Sequence, residues 1–523
     1  VIVANLFQTE SSAAAAKNCE PRARRIAAVW LAVLSAVLAG AAAAQEPSSL
    51  PMAPSAMVAA LPARSLDLAL TPGFKEQSSA GPKSFPGGVV VQQATDGPMP
   101  LSLDEAIDRG VKQNVQVLLA NQTERSVRGQ ILSVFYELLP NLKATAYTDA
   151  MELNLAALGF KESSLAAFGF APGSIATIVK LDTTSAQLSA DQVLFNLPDF
   201  YLYAAAKKAE NVVTLNALNV RGGIVEAVGT QYLAALADEA QIANAQALLK
   251  ADEEVLRQAT LAHDAGVGVN IDVLRARVQL QNEQQALVKA QNTFAKDKIA
   301  LNRLIGLPAD QQLTLTDTVP YADLAEMSLE DAKALAYQRR KDLLTLQAEL
   351  EVTERSRKAV KYERMPSLAF NGYYGVLGET HGSYHGVFTA QGVLKIPIFE
   401  EGRFRGEAQV AAAQQTSLER QIDSLRVSID AQIRTSRLDV ESSAQLVKVA
   451  RSNVELATQA LADSRDRFAA GVDDNLPVVE AQAALESAQS QLIATEFQFN
   501  QAKLQLARNT GVVETEYKQY LGR

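Results

Sequence analysis

Slid along itself, this chain of 523 residues finds itself again, so its fold is constrained to build one unit twice. Leu101-Ser102-Leu103-Asp104-Glu105-Ala106 matches Met327-Ser328-Leu329-Glu330-Asp331-Ala332 at an offset of 226 residues, and Leu139-Pro140-Asn141-Leu142 matches Met365-Pro366-Ser367-Leu368 at the same offset. Phe195, Phe200 and Ala204 then pair with Phe399, Phe404 and Ala408 at 204, so the first copy carries about 22 extra residues between its match blocks. At 205, Ala265-Gly266-Val267 pairs with Ala470-Gly471-Val472, and Gly306 with Gly511. These ordered blocks define a first copy over 101–320, a second over 321–515 and a C-terminal tail at 516–523.

Each copy reads as helix, hairpin, helix. Ser102 and Ser328 precede acidic residues by two or three positions, which is N-cap chemistry, and from each a helix is expected to run to a proline. After Pro140, Leu142, Ala144 and Ala146 alternate with Lys143, Thr145 and Tyr147; after Pro366, Leu368, Phe370, Gly372 and Tyr374 alternate with Ala369, Asn371 and Tyr373. Period two means strand. Return strands follow around Ala186, Leu188 and Ala190, and around Phe388, Ala390, Leu394 and Ile396.

The helices beyond the hairpins are long. From Ala204 to Asp264 there are 61 residues without proline, which at ~1.5 Å per residue reach roughly 90 Å. Gly222, Gly223 and Gly229 each weaken a helix by about 1 kcal/mol relative to Ala, so a bend or break is expected there. After Gly266 the chain returns through Val273, Leu280, Leu287, Phe294 and Leu301, and the second copy repeats them as Val478, Leu485, Leu492, Phe499 and Leu506. A strict seven-residue period specifies coiled-coil packing.

Composition excludes several classes of function. One cysteine, Cys19, and three histidines leave nothing for a disulfide scaffold or a His/Cys metal centre. His381 and His385 have only Glu379 nearby, and no metal is expected there. A net charge of −9 argues against nucleic acid as a partner. There is no phosphate-cradling glycine loop, nucleophile elbow or catalytic carboxylate pair, so neither an enzyme nor a cofactor is indicated.

Before the first copy, Arg22, Arg24 and Arg25 precede an uncharged run from Ile26 to Ala42-Ala43-Ala44, which reads as a secretory signal peptide closing an N-terminal segment at 1–44. Ala41 stands where a bacterial lipid-attachment box needs Cys, so no N-terminal lipid anchor is expected. Residues 45–100 hold nine of the eighteen prolines among Ser, Gly and Ala and read as an extended linker.

Two hairpins supply four strands, each expected to have the ~9–11 residues that a tilted strand needs to cross a bilayer. Four strands cannot close a barrel, and lipid does not tolerate open edges, so spanning requires several chains to share one barrel. The helices, rich in Ala and with Gln279, Asn282, Gln285 and Gln291 on their polar faces, would continue it as a water-lined hollow cylinder.

These residues resemble the TolC-type outer-membrane efflux proteins. The resemblance covers about residues 101–515 and rests on the S-L-x-E-A opening, the L-P-x-L strand entry, the Leu194-Phe195 and Ile398-Phe399 strand exits, the segment from Arg257 to Val273 with its A-G-V turn, and Leu304-Ile305-Gly306-Leu307-Pro308. It implies an α+β membrane protein: a homotrimer with a shared twelve-stranded outer-membrane barrel in outer-membrane lipid, joined to a coiled-coil α-helical tunnel in the periplasm. It further implies a passive exit duct, serving efflux or type I secretion, that docks a periplasmic adaptor protein and an inner-membrane transporter. The tips that dock the adaptor would be Ala265-Gly266-Val267 and Ala470-Gly471-Val472.

The family often places acidic residues six and nine positions after the second tip glycine. Here these are Pro477, a departure, and Glu480; in the first tip the sixth position is Asp272. Asp272, Asp473, Asp474 and Glu480 are therefore the candidate pore constriction, where copies of one acid around a narrow bore would attract cations. Two other readings compete. A periplasmic adaptor would have one hairpin between compact β-domains, and a purely structural coiled-coil protein of the envelope would leave the four alternating strands unexplained.

Overall fold

The computed structural model describes residues 87–90, 97–154, 178–266, 268–318, 322–324, 327–470, 472–473 and 475–522, all within one compact unit, Leu66–Arg523. The leader at 1–44, the loop at 155–177, Val267, Gly471 and Asp474 lie outside the described residues.

The order of elements runs twice. β1 (Met99–Leu101), α1 (Leu103–Gln113) and α2 (Val115–Glu137) lead to strands β2 (Asn141–Asn154) and β3 (Ile178–Phe195), then to α3 (Leu197–Asp264) and α4 (Asn270–Ile305). β4 (Leu313–Leu315), α5 (Leu329–Arg339), α6 (Lys341–Tyr362), β5 (Ser367–Glu379), β6 (Tyr384–Lys395), α7 (Glu401–Ala469) and α8 (Leu476–Asn509) follow in the same order, and α9 (Val513–Leu521) ends it. Ser102 Oγ accepts the Glu105 N–H at 3.3 Å and Ser328 Oγ accepts the Asp331 N–H at 3.1 Å, so both caps form as the sequence implies.

Three expectations are corrected. The single helix expected from each serine to the next proline is two helices, broken at Asn114 (ψ 132°) and Arg340 (ψ 120°). Asn114 restarts its helix by accepting the Gln116 N–H at 3.0 Å and is itself fully buried, its Nδ2 donating to Leu304 O at 3.3 Å. Conversely, α3 is a single helix of 68 residues straight through Gly222, Gly223 and Gly229. A Cβ on Gly222 would lie 3.1 Å from Arg508 and one on Gly229 3.1 Å from Leu504, both on α8, so these glycines admit a close helix rather than end one. The strands have 14, 18, 13 and 12 residues, longer than the expected crossing length.

A short parallel pair, β1 with β4, joins residues 99–101 at the end of the expected linker to residues 313–315. Around it lies the main core, where Leu101, Tyr232, Leu301, Ile305, Leu504 and Leu521 are all fully buried. Tyr232 Oη donates to Asp317 Oδ2 at 2.9 Å, and the same oxygen accepts the Leu103 N–H at 2.7 Å. On α9, Tyr517 Oη and Lys518 Nζ reach Asp104 at 2.6 and 2.8 Å. This belt ties both ends of the described chain to the middle of the long helices. Of the ten heptad residues, Val273, Leu301, Val478, Leu485, Phe499 and Leu506 are buried and Leu280, Leu287, Phe294 and Leu492 are half-buried. Among the described residues no helix is long and apolar enough to cross a membrane.

Candidate functional site

The four long strands form one antiparallel sheet in the order β2-β3-β5-β6. Register decides which residues share a face. Leu142, Ala144 and Ala146 oppose Ala190, Leu188 and Ala186, and these oppose Gly372, Tyr374 and Val376, which pair with Ala390, Phe388 and Gly386. Because side chains alternate, these central rows of the face are apolar, while further along it come Thr148 and Thr184, Asp182, and the Glu152–Lys180 pair. Leu142, Leu188, Tyr374, Phe388 and Leu394 are 52 to 72% exposed on it. The opposite face carries Lys143, Thr145 and Asp149, then Ser185, Gln187 and Asp191, then Asn371, Thr389 and Gln391. An apolar face open to the surroundings, backed by a polar one, suits a sheet with lipid on one side and water on the other. Its edges, β2 and β6, carry no further strand among the described residues.

Beyond the belt, the two hairpins α3–α4 and α7–α8 end side by side. Val255 and Ala259 of α3, Val273 and Ala276 of α4, Leu461 of α7, and Val478 and Leu485 of α8 form one buried cluster. The turns match closely. Ala265 closes α3 at φ −77°, ψ −3°, and Ala470 closes α7 at φ −75°, ψ −5°. Gly266 follows at φ 75°, the left-handed conformation that favours glycine, and its N–H returns to His263 O at 2.9 Å. In the second turn the Val472 N–H reaches Arg467 O at 3.0 Å, and Val472 is 66% exposed.

The acidic candidates have different surroundings. Asp272 is buried, 3.5 Å from Arg275, and its carbonyl accepts from the fully buried Asn475 Nδ2 at 3.3 Å, which couples the two tips. Asp473 pairs with Arg467 at 2.7 Å. Glu480 is exposed, and no ion pair to it occurs among the described residues. The structure thus brings Asp272 to the second tip through Asn475 and leaves Glu480 facing solvent on the first turns of α8.

A second acidic group lies inside the hairpin pair, and the sequence reading missed it. Asp252 of α3, Glu283 of α4 and Gln482 of α8 are buried together, and Gln482 Nε2 donates to Asp252 Oδ1. Burial first, and then the neighbouring Glu486 and Asp252 carboxyls, push Glu283 up to about 8; burial pushes Asp252 up to about 6 against the pull of Gln482 and Arg465. Higher up, Asp238 of α3 meets Asp297 of α4 and is raised to about 7, chiefly by burial. The available signal was spacing: Glu283 stands three residues after Leu280 and four before Leu287, a core position of the heptad where charge is rare.

Comparison with known proteins agrees with this geometry. A family model described as "Outer membrane efflux protein" matches residues 137–307 and again 334–512. The pyoverdine export outer membrane protein OpmQ of Pseudomonas putida is 25% identical over 316 residues, which span 58% of this chain and 63% of that protein. The alkaline protease secretion protein AprF of Pseudomonas aeruginosa is 23% identical over 351 residues, 64% of this chain and 70% of that one. Among solved structures, the Campylobacter jejuni CmeC outer membrane channel shares the fold with a TM-score of 0.66 at 13% identity, over 79% of this chain and 86% of that one. With two family matches covering most of the long hairpins and their strands, this chain belongs to the outer membrane efflux protein family.

Proposed function

We propose that the chain is the outer-membrane duct of a tripartite efflux or type I secretion system, a passive exit conduit and not an enzyme. Its cargo would be supplied by an inner-membrane transporter through a periplasmic adaptor. The observation that carries this reading is the sheet: an apolar band across the central rows of one face, Lys, Thr, Gln, Asn and Asp across the same rows of the other, and two edges of 14 and 12 residues. Unpaired backbone is not tolerated in lipid, so β2 of one copy pairs with β6 of the next. A homotrimer brings twelve such strands into one barrel spanning the outer membrane. Apolar side chains left open along α7, including Val427 (73% exposed), Leu438 (65%) and Leu456 (60%), are what neighbouring copies would cover.

The helical hairpins then hang into the periplasm as a tunnel wall, with the two repeats alternating around it. Their tips dock the adaptor through Ala265, Gly266 and Val267 and through Ala470, Gly471 and Val472. Val269 (58% exposed), Ile271 (49%) and Leu274 (46%) beside the first turn, with Val472 beside the second, give that surface its apolar content. Asp473, Asp474 and Glu480 line the constriction, with Glu480 turned to the bore, and Asp272 stands buried behind them beside Arg275.

The test is the mass and shape of the protein extracted from membranes in mild detergent, by light scattering and negative-stain imaging. A three-chain hollow particle is the expected result. A monomer released without detergent would overturn the proposal.

A further inference from the structure

Between the tips and the belt, the seam of α3, α4 and α8 holds groups that a coiled coil normally leaves to water. Asp252, Glu283 and Gln482 are each 2% exposed, and the half-buried Glu486 of α8 meets Glu283 carboxyl to carboxyl. The only donors here are amides: Gln482 Nε2 to Asp252 Oδ1, and Gln279 Nε2 to Glu283 Oε1 at 3.4 Å. Asp252 Oδ2, Glu283 Oε2 and Gln482 Oε1 remain buried without a hydrogen-bond donor. Carboxylates are acceptors only, and two of them touching in a dry seam cannot both stay ionised. Something positive has to sit between them. Among the described residues no three His, Cys, Asp or Glu side chains converge to cage a metal ion. Arg465 of α7 pulls on Asp252, one residue removed from the Glu283–Glu486 contact. A proton is what remains.

We propose that one proton shared between Glu283 and Glu486 latches α4 to α8, and that its loss as the surroundings turn alkaline releases the two hairpin ends from each other. The groups facing this contact are Asp252 from α3, Gln279 from α4, Gln482 from α8 and, further off, Arg465 from α7. The sign follows from linkage. A solvated glutamate titrates near ~4.3, whereas the buried Glu283 holds its proton to about 8. Between those values the latched arrangement binds a proton that the parted one has released, so each upward step in pH favours parting. Above the higher value both forms are ionised and the bias stops growing.

The latch concerns the spacing of two helices, so its test does not pass through conduction and stands apart from the conduit reading. Spin labels are placed at Gln284→Cys on α4 and Ala484→Cys on α8, both exposed positions beside the pair, in a Cys19→Ser background. The full chain is purified in detergent and diluted with unlabelled chain, and the label-to-label distance is measured from pH 5 to 9.5. The expected result is a short, narrow distribution at low pH that shifts outward and broadens as pH rises toward 8 and above. Glu486→Gln, which keeps a hydrogen-bond donor without a titrating proton, holds the short distance throughout; Glu283→Gln serves the same purpose if that variant does not assemble. A wild-type distance that ignores pH, a Gln variant with the same response as wild type, or a response to millimolar magnesium at fixed pH in place of the pH response would each overturn the latch.

Discussion

Gly511 stands so close to Arg340 that a Cβ on the glycine would lie 2.6 Å from the Arg340 nitrogen. Gly306 stands the same way against Gln113, where a Cβ would lie 2.9 Å from the Gln113 Cβ. Both glycines are left-handed, at φ 80° and 75°, and both end a return helix where it meets a break between two short helices. The two breaks lie 226 residues apart, the offset at which the sequence repeats.

Gly511→Ala should therefore be costly. The left-handed backbone alone costs an L side chain roughly 1–2 kcal/mol, and backbone that cannot move aside adds at least about 1 kcal/mol more. Gly266→Ala is the control, since nothing lies within 4 Å of its Cβ and only the backbone term applies. Denaturant unfolding in detergent should rank the Gly511 variant well below the Gly266 variant; equal losses would mean that the contact with Arg340 relaxes freely.

Asp238 sets a pH dependence. In the folded chain its carboxyl is raised to about 7 by burial and by Asp297, while an unfolded Asp titrates near ~3.9. Across that window the folded state binds the extra proton, so stability falls as pH rises and levels off above 7. Asp238→Asn should flatten this part of the profile in thermal melts between pH 4 and 8. A slope as steep as the wild type's would remove Asp238 from the account.

Lys503 carries the opposite sign. It is fully buried over the Phe499 ring, 4.3 Å from its centroid, with Nζ donating to Ala322 O at 3.1 Å. Burial lowers its pKa to about 8, against the pull of Asp323, whereas an unfolded lysine titrates near ~10.4. Between those values the unfolded chain binds the extra proton and stability rises with pH. Lys503→Met keeps the volume and removes the buried charge, so at pH 7 it should lie within about 1 kcal/mol of wild type and lose the rise between pH 8 and 10. A loss beyond about 3 kcal/mol would make the ammonium an indispensable tie.

At the tips, Asp473 is occupied by Arg467 and Asp272 is buried beside Arg275, whereas Glu480 is exposed. In planar bilayers Glu480→Gln alone should produce most of the loss of cation preference expected when Asp473, Asp474 and Glu480 are neutralised together, and conductance should rise. Currents unchanged in the triple variant would end the proposal that these acids gate the bore.

Much of this was legible because the signals are local. Alternation after Pro140 and Pro366 located the strands and their apolar phase, since a strand residue's face depends only on its position in the pleat. The five heptad residues of α4 and of α8 are all buried or half-buried for the same kind of reason. Ser102 and Ser328 announced their caps within four residues. The polar seam was hidden because its members come from distant segments: Asp252 meets Gln482 across 230 positions. Gln279, expected to face water, is half-buried and spends its amide on Glu283.

By itself, then, the sequence determined the duplicated order of helices and hairpins, the two faces of each strand, the turn at Gly266, and the family to which these features point. The tertiary structure decided where helices break and where they run on. Arg340 carries no breaker chemistry and Asn114 only the ordinary capping tendency of Asn, and it is at these breaks that Gly306 packs on Gln113 and Gly511 on Arg340, 193 and 171 positions away. Gly222 and Gly229 would end an isolated helix, yet Arg508 and Leu504 on α8 pack into the space they leave. Local propensity is worth about 1 kcal/mol per residue, and packing across the belt outweighs it wherever a distant segment arrives to share the surface.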